Sequence, residues 1–217
     1  KVAEEYADAR IRYVPLAENK GIAENTNAAL ALAHGDYVGL LDHEDTLTKD
    51  ALFEMAEAIR ERSEKGGAAW LLYSDEDKGN GDMTEFYEPL WKPGLNRDLL
   101  FSNNYICHLF VVKRDIMKQT GGFRREFDGA QDYDFIFRCV ECAEKIHHIP
   151  EILYHWRTHQ ASTADNPASK MYAYEAGKRA IEGNLKRSGL SGKVSHTKDY
   201  GFYRVKYQVQ GAPLVSI

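Results

Sequence analysis

Three short segments carry the side chains able to do chemistry. Asp42-His43-Glu44-Asp45 follows directly on an apolar run. Carboxylates two apart on an extended turn can converge on one hard cation, and Mn²⁺ or Mg²⁺ wants oxygen ligands. An ion held there neutralises the phosphates of a bound diphosphate. The same letters also suit an acidic entry to a helix, where carboxylates meet the positive end of the dipole. Gly129-Ala130-Gln131-Asp132-Tyr133-Asp134 stands at a helix start. Asp132 is there either as a capping group or as a general base presented into a cleft. Tyr154-His155-Trp156-Arg157-Thr158-His159, with Ser162-Thr163 close behind, crowds aromatic, imidazole and guanidinium groups together. Such a mixture suits sugar stacking and phosphate pairing. A lone histidine is more often structural; two of them flanking Trp156 and Arg157 point toward a site.

The elements around these segments follow from hydrophobic period. Residues 11–16 read as a short strand, and Asn19 could cap the amphipathic helix of 22–32 that follows the turn at Lys20-Gly21. The run 37–41 has strand length and the continuous apolar character of a strand buried on both faces. A helix opens at Thr48 or Asp50 with Leu52, Met55, Ala56 and Ile59 on one face, and Gly66-Gly67 ends it. Residues 70–73 give a third strand closed by Asp75-Glu76-Asp77. Strand, helix, strand, helix, strand argues for a right-handed parallel α/β sheet, whose ligands bind beyond the carboxyl ends of the strands. After a polar loop, 105–112 is strand-like, 114–119 a short helix, and 132–143 a helix with Phe135, Ile136, Cys139 and Val140 inward. Two short strands, 146–149 and 152–156, surround Pro150; 170–186 is a long helix, and 194–200 with 202–209 flank Gly201 like a hairpin.

Bulk composition narrows the function classes. The chain has 217 residues, 43% hydrophobic and 28% charged, which suits a packed globular core with an ordinary soluble surface. A formal net charge of −5 without a basic cluster argues against nucleic acid as a partner. No apolar run approaches the ~20 residues of a membrane span. Cys107, Cys139 and Cys142 make no disulfide framework, and the Cys139/Cys142 spacing reads as two buried thiols one helical turn apart in a reducing compartment.

In this order the segments resemble family-two glycosyltransferases of the GT-A fold. The matching pieces are Asn19-Lys20-Gly21 through Asn27, Gly35-Asp36-Tyr37 running into Leu41-Asp42-His43-Glu44-Asp45, Asp75-Glu76-Asp77-Lys78, and Pro93 with Asn96. Asn103-Asn104-Tyr105, Gly121-Gly122-Phe123, Gly129-Ala130-Gln131-Asp132-Tyr133-Asp134 and Tyr154-His155-Trp156-Arg157 complete the series. The resemblance covers about 11–187. It implies an α/β fold with a mixed, mainly parallel sheet flanked by helices. It implies that Asp42 and Glu44 fill the family's D-x-D positions, holding Mn²⁺ or Mg²⁺, with Asp42 also reaching the donor. Asp132 takes the place of the catalytic base. His155, Trp156 and Arg157 belong to a late segment closing over the donor's phosphates, with His155 a further metal ligand. Asn19, Gly21, Asn27, Gln131, Trp156 and Arg157 contact substrate. Glu44 replaces the more usual Asp, and Gln131 the more usual Glu.

The function so implied is inverting transfer of a sugar from a nucleotide-diphospho-sugar to a glycan or lipid-linked acceptor, on the cytoplasmic side of a membrane reached through a longer protein. Residues 1–190 are expected to be a partial GT-A domain lacking the first strand, helix and strand. Residues 191–210 are expected as a hairpin extension, and 211–217 as a linker with the opening strand of a following domain. Such a piece alone is expected to be inactive. Two rivals stand beside this reading. A phosphatase of the haloacid-dehalogenase kind would need D-x-D-G-T, of which the second Asp and the Gly are wrong here. A binding-only or scaffold domain would keep the fold without catalysis.

Overall fold

The computed structural model describes residues 6, 8–65, 67, 70–158, 171–209, 211–212 and 214. In chain order the elements are α1 (Ile22–Leu30), β1 (Tyr37–Leu40), β2 (Thr46–Leu47), α2 (Ala51–Glu64), β3 (Leu71–Gly79) and β4 (Phe86–Leu90). Then come α3 (Arg97–Ser102), β5 (Phe110–Lys113), α4 (Arg114–Thr120), a 3₁₀ turn (Arg125–Phe127) and α5 (Gln131–Cys142). The last elements are β6 (Ile146–Arg157), α6 (Met171–Arg187), β7 (Gly192–His196) and β8 (Tyr203–Tyr207).

Six strands form one mixed sheet in the order β1-β5-β3-β6-β2, with β4 also paired to β3. Among the described residues only the β3/β6 ladder is parallel; β1/β5, β3/β5, β3/β4 and β2/β6 are antiparallel. The expected β1, β3 and β6 do share a direction. The simple parallel succession is broken because β5 inserts between β1 and β3, a pairing decided by contacts remote in sequence. Alternation along β3 then divides the core. Leu71 and Tyr73 join the cluster built with Phe110, Phe135, Ile136 and Ile181, whereas Leu72 packs with Ala51, Met55, Val111 and Leu153. Helix α2 therefore covers one face and α5 with α6 the other. Full burial of a side chain such as Phe110 or Phe135 stabilises by ~1.5–3 kcal/mol. The β7/β8 hairpin joins this core through Val194 and Tyr203.

Several local expectations change. Residues 11–16 form no strand; Ile11, Tyr13, Val14 and Leu16 are exposed, and no ladder among the described residues takes them up. β1 lies at the end of the strand order, so it is half-buried rather than enclosed on both faces. β3 does not stop at its acids but runs through them, with Asp75, Glu76 and Asp77 at 1%, 6% and 8% exposure. Each is paired: Asp75 with His148, Glu76 with Lys92, Asp77 with His155. Buried carboxylates persist only with such partners. The two strands expected around Pro150 are one, β6, whose register against β3 shifts beside the proline. β5 begins at Phe110, later than expected, and 104–109 takes an irregular path. No described helix is long and apolar enough to cross a membrane. The cysteines are free; Cys139 is buried and Cys142 half-buried. His159, Ser162 and Thr163, and much of the tail expected to open a new domain, lie outside the described residues.

Candidate active site

The turn after β1 is held by the strand across from it. Asp45, 9% exposed, accepts the Tyr154 hydroxyl at 2.5 Å and the Arg157 backbone N–H at 2.8 Å. The Asp42 N–H donates to the same Tyr154 oxygen at 3.3 Å. Burial and the bond to Asp45 push the Tyr154 phenol upward, so it stays a neutral donor. Asp42 itself projects from this anchored turn, 64% of its side chain exposed.

His108 comes from the irregular segment before β5. Its ring stacks on Tyr154 with centroids 4.6 Å apart, meets the edge of Trp156 at 6.3 Å, and places Nε2 at 3.7 Å from an Asp42 carboxylate oxygen. Ligand atoms of Asp42, Asp45 and His108 all lie within 4.8 Å of one another. Two hard oxygen donors and an imidazole suit Mn²⁺ better than Mg²⁺, because imidazole favours transition metals. The buried His108 Nδ1 has no hydrogen-bond partner among the described residues. Nε2 is the ring nitrogen that faces Asp42, and the donor set of two carboxylates and one imidazole fits a divalent ion.

Asp132 opens α5 without capping it: the N-cap residue is Ala130, and no side chain caps the helix there. One Asp132 carboxylate oxygen accepts Asn104 Nδ2 at 2.8 Å, with the Cys107 thiol 3.9 Å from the same atom. Burial raises the Asp132 carboxyl above its usual value; the charge of His108, the Tyr133 N–H and Asn104 pull the other way, and Asp42 adds to the rise. Asp132 thus feels both Asp42 and His108, so the two acidic positions, remote in sequence, lie within each other's electrostatic reach. Burial, helped by Glu76 and Asp132, likewise holds the Cys107 thiol protonated.

The other expected site residues take these places. Glu44 is outside the 4.8 Å cluster, its carboxylate 3.5 Å from His43 Nε2. His155 is also outside it, on the ladder beside Asp77, with Nδ1 at 2.5 Å from that carboxylate and Phe86 against its ring. Trp156 borders the cleft, 38% exposed. The Arg157 guanidinium donates to the carbonyls of Glu44 and Gly81, lacing the acidic turn to β6. Gln131 accepts from the Gly129 N–H at 2.9 Å. Asn19 accepts from the Gly21 N–H and from Asn25. Gly21 has φ 96°, and a Cβ there would meet Asp128, whose carboxylate accepts the Ala23 N–H at the start of α1. Asn27 exchanges two hydrogen bonds with the Phe123 backbone, at 2.8 and 2.9 Å. Asn104, Cys107 and His108 were missed as site residues. Asn104 stands in one of the segments that carry the resemblance, with no role given it there; for Cys107 and His108 the signal is polar letters inside a run otherwise readable as a strand.

Known proteins resemble the chain in sequence and in fold. An uncharacterized protein, y4gI, of Sinorhizobium fredii is 39% identical over all of this chain, which spans 24% of it. The O-antigen biosynthesis protein RfbC of Myxococcus xanthus is 40% identical over 97% of the chain, which spans 16% of it. The chain therefore covers about a quarter or less of the length of these relatives. Among solved structures, S. aureus TarS 1-349 in complex with UDP-GlcNAc superposes with a TM-score of 0.63 at 18% identity, over 85% of this chain and 53% of that one. That likeness shows a shared fold. The sequence profile described as Glycosyl transferase family 2 matches residues 1–121, more than half of the chain, and so the chain belongs to glycosyl transferase family 2.

Proposed function

We propose that this chain is the part of a larger enzyme that moves a sugar, with inversion, from a nucleotide-diphospho-sugar to a saccharide hydroxyl on a glycan or lipid-linked acceptor. The observation supporting this is that the buried Asp132 carboxyl feels the charges of His108 and Asp42, two members of the Asp42, Asp45 and His108 cluster. Asp42, Asp45 and His108 would hold Mn²⁺, in place of the Asp42, Glu44 and His155 set drawn from resemblance; when bound, such an ion neutralises the donor's diphosphate. Asp132, its carboxyl raised above the usual carboxylate value by burial, takes the proton of the acceptor hydroxyl. The freed oxygen attacks the anomeric carbon on the face opposite the diphosphate, which leaves with the bonding electron pair. Trp156, exposed at the cleft rim, offers a ring for a sugar face. UDP-GlcNAc, the ligand named for the TarS structure, is the first donor to try, and the RfbC and chondroitin synthase names among the relatives favour a polysaccharide product.

The test is radiolabel transfer from a panel of nucleotide-diphospho-sugars by the full-length protein, with Mn²⁺-dependent donor binding measured on it and on this chain. Asp132→Asn is expected to lower kcat by about 10²–10⁴-fold while leaving donor Kd nearly unchanged. Asp42→Asn is expected to abolish the Mn²⁺ dependence of donor binding. Undiminished transfer by Asp132→Asn sinks the proposal; donor binding without transfer in the unaltered full-length protein favours the binding-only reading.

A further inference from the structure

The most enclosed cation of the described residues lies outside the site, directly behind it. The side chain of Lys92 has 0% exposure. An ammonium has three N–H donors, and Lys92 uses them on the Glu76 carboxylate at 3.1 Å, the Ile106 carbonyl at 2.9 Å, and the His108 carbonyl. Glu76 returns to the same segment, accepting the His108 N–H at 3.3 Å. The Lys92 backbone N–H is itself fixed by Asp75, at 2.8 Å, which in turn contacts His148 at 2.7 Å. β3 and the segment after β4 thus reach the backbone of 106–108 through one ion pair.

That short stretch is what touches both halves of the candidate site. Asn104 and Cys107 contact Asp132, and His108 faces Asp42. Its path is not one the chain adopts freely: Cys107 has φ 28°, which a non-glycine residue holds only when its surroundings impose it. A turn of this kind left to itself would relax toward an extended strand and carry His108 away from Asp42.

We propose that Lys92 and Glu76 are positioning residues, a buried ionic clamp that fixes the 106–108 backbone so that His108 meets Asp42 and Asp45 while Cys107 and Asn104 stay against Asp132. The inference rests on the transfer reading for its functional meaning. Lys92 and Glu76 touch no substrate in it. They act through the backbone they hold.

A merely structural ion pair and a clamp respond differently to joint replacement. Two buried charges exchanged together for apolar side chains of similar size often leave stability unchanged. The double variant Lys92→Met/Glu76→Met should therefore fold, yet lack the hold on 106–108. Metal-free protein is treated with iodoacetamide and the cysteines are followed by peptide mass spectrometry, with the buried Cys139 as internal reference. With rates compared per thiolate, taken from their pH dependence because loss of Glu76 by itself eases ionisation of the thiol, the double variant is expected to alkylate at Cys107 about tenfold faster than the unaltered chain, with Cys139 unchanged, because the local opening of 106–108 is eased. Mn²⁺ affinity, read by electron paramagnetic resonance, is expected to fall about 10–100-fold, the usual cost of losing support behind a metal ligand. A folded double variant whose Cys107 rate stays within about twofold of the unaltered chain overturns the clamp. Should the double variant not fold, Glu76→Gln decides: the clamp requires a Cys107 rate raised by about threefold or more, and an unchanged rate overturns it. Absence of Mn²⁺ binding in the unaltered full-length protein defeats the transfer reading instead, and the alkylation result still judges the clamp.

Discussion

The two sides of the first turn of α5 carry carboxylates in opposite circumstances. Asp132 and Asp134 stand two residues apart, about 200° around a helix axis. Asp134 has no exposed surface and is gripped by two guanidinium groups: Arg124 and Arg138 each donate from Nε at 2.9 Å, and Arg124 adds a second bond. Arg138 continues to the carbonyls of Thr120 and Gly122, so the pair ties α5 to the turn before it. Asp132 has an amide and a thiol at its side chain and looks across the cleft to other acids. A carboxylate with all its charge answered holds the fold. One buried beside like charge and left partly answered is held ready for a proton.

The contrast is easiest to break at Asp134. Asp134→Asn leaves two partly or fully buried arginines without their counter-charge and is expected to cost about 3–5 kcal/mol in urea unfolding. A loss near zero would mean that the guanidinium grip is dispensable and that the two sides of α5 differ less than their geometry suggests.

A smaller effect is expected where the site is braced. Tyr154→Phe deletes the hydroxyl that donates to Asp45 and accepts from the Asp42 amide. The expected cost is about 1–3 kcal/mol, since buried Asp45 loses one of its donors. Mn²⁺ affinity should fall with it, because the turn carrying Asp42 is freed. Stability lost without any change in Mn²⁺ affinity would separate the brace from the site.

Smaller still is Asn27→Ala, which removes two hydrogen bonds to Phe123 and should cost about 1–2 kcal/mol. Both polar ends of that side chain are engaged in joining α1 to the turn before α5. Donor affinity is therefore expected to stay as it was. A drop in donor affinity at unchanged stability would return Asn27 to the substrate contacts implied by resemblance.

How much of this was legible follows from where each partner lies. The acidic turn after β1, Asp132 at the start of α5 and the segment 154–157 could be read because each is a short string of telling residue types in a recognisable order. His108, Asn104 and Cys107 could not. Cys107 and His108 lie in a run whose letters fit a strand, with Asn104 just before it, and nothing in the sequence tells that Lys92 and Glu76 meet the backbone of 106–108. Likewise β3 was expected to end at Asp75, because the histidines and lysine that allow its acids to be buried come from β6 and the segment after β4. Residues 11–16 show the reverse error. An apolar letter pattern makes a strand only where a ladder receives it, and none of the described residues does so.

The finest test of the comparison reverses the sign of the first. Burial, with Asp42, holds the Asp132 carboxyl above its usual value of 3.8. A group raised in the folded state favours folding below its unfolded value, and that contribution is lost as pH climbs through the folded one. Above its folded value the ionised Asp132 therefore weighs against the fold, whereas asparagine carries no such charge. Asp132→Asn is expected to melt slightly higher than the unaltered chain near pH 7, by less than any of the losses above. The gap should close as acidity protonates the native carboxyl. Melting curves taken from neutral pH downward measure it. A variant that melts lower at neutral pH, or a gap indifferent to pH, would make Asp132 a second structural acid like its neighbour. A gain in stability joined to a loss of transfer would mark a residue whose unfavourable placement is kept for its chemistry.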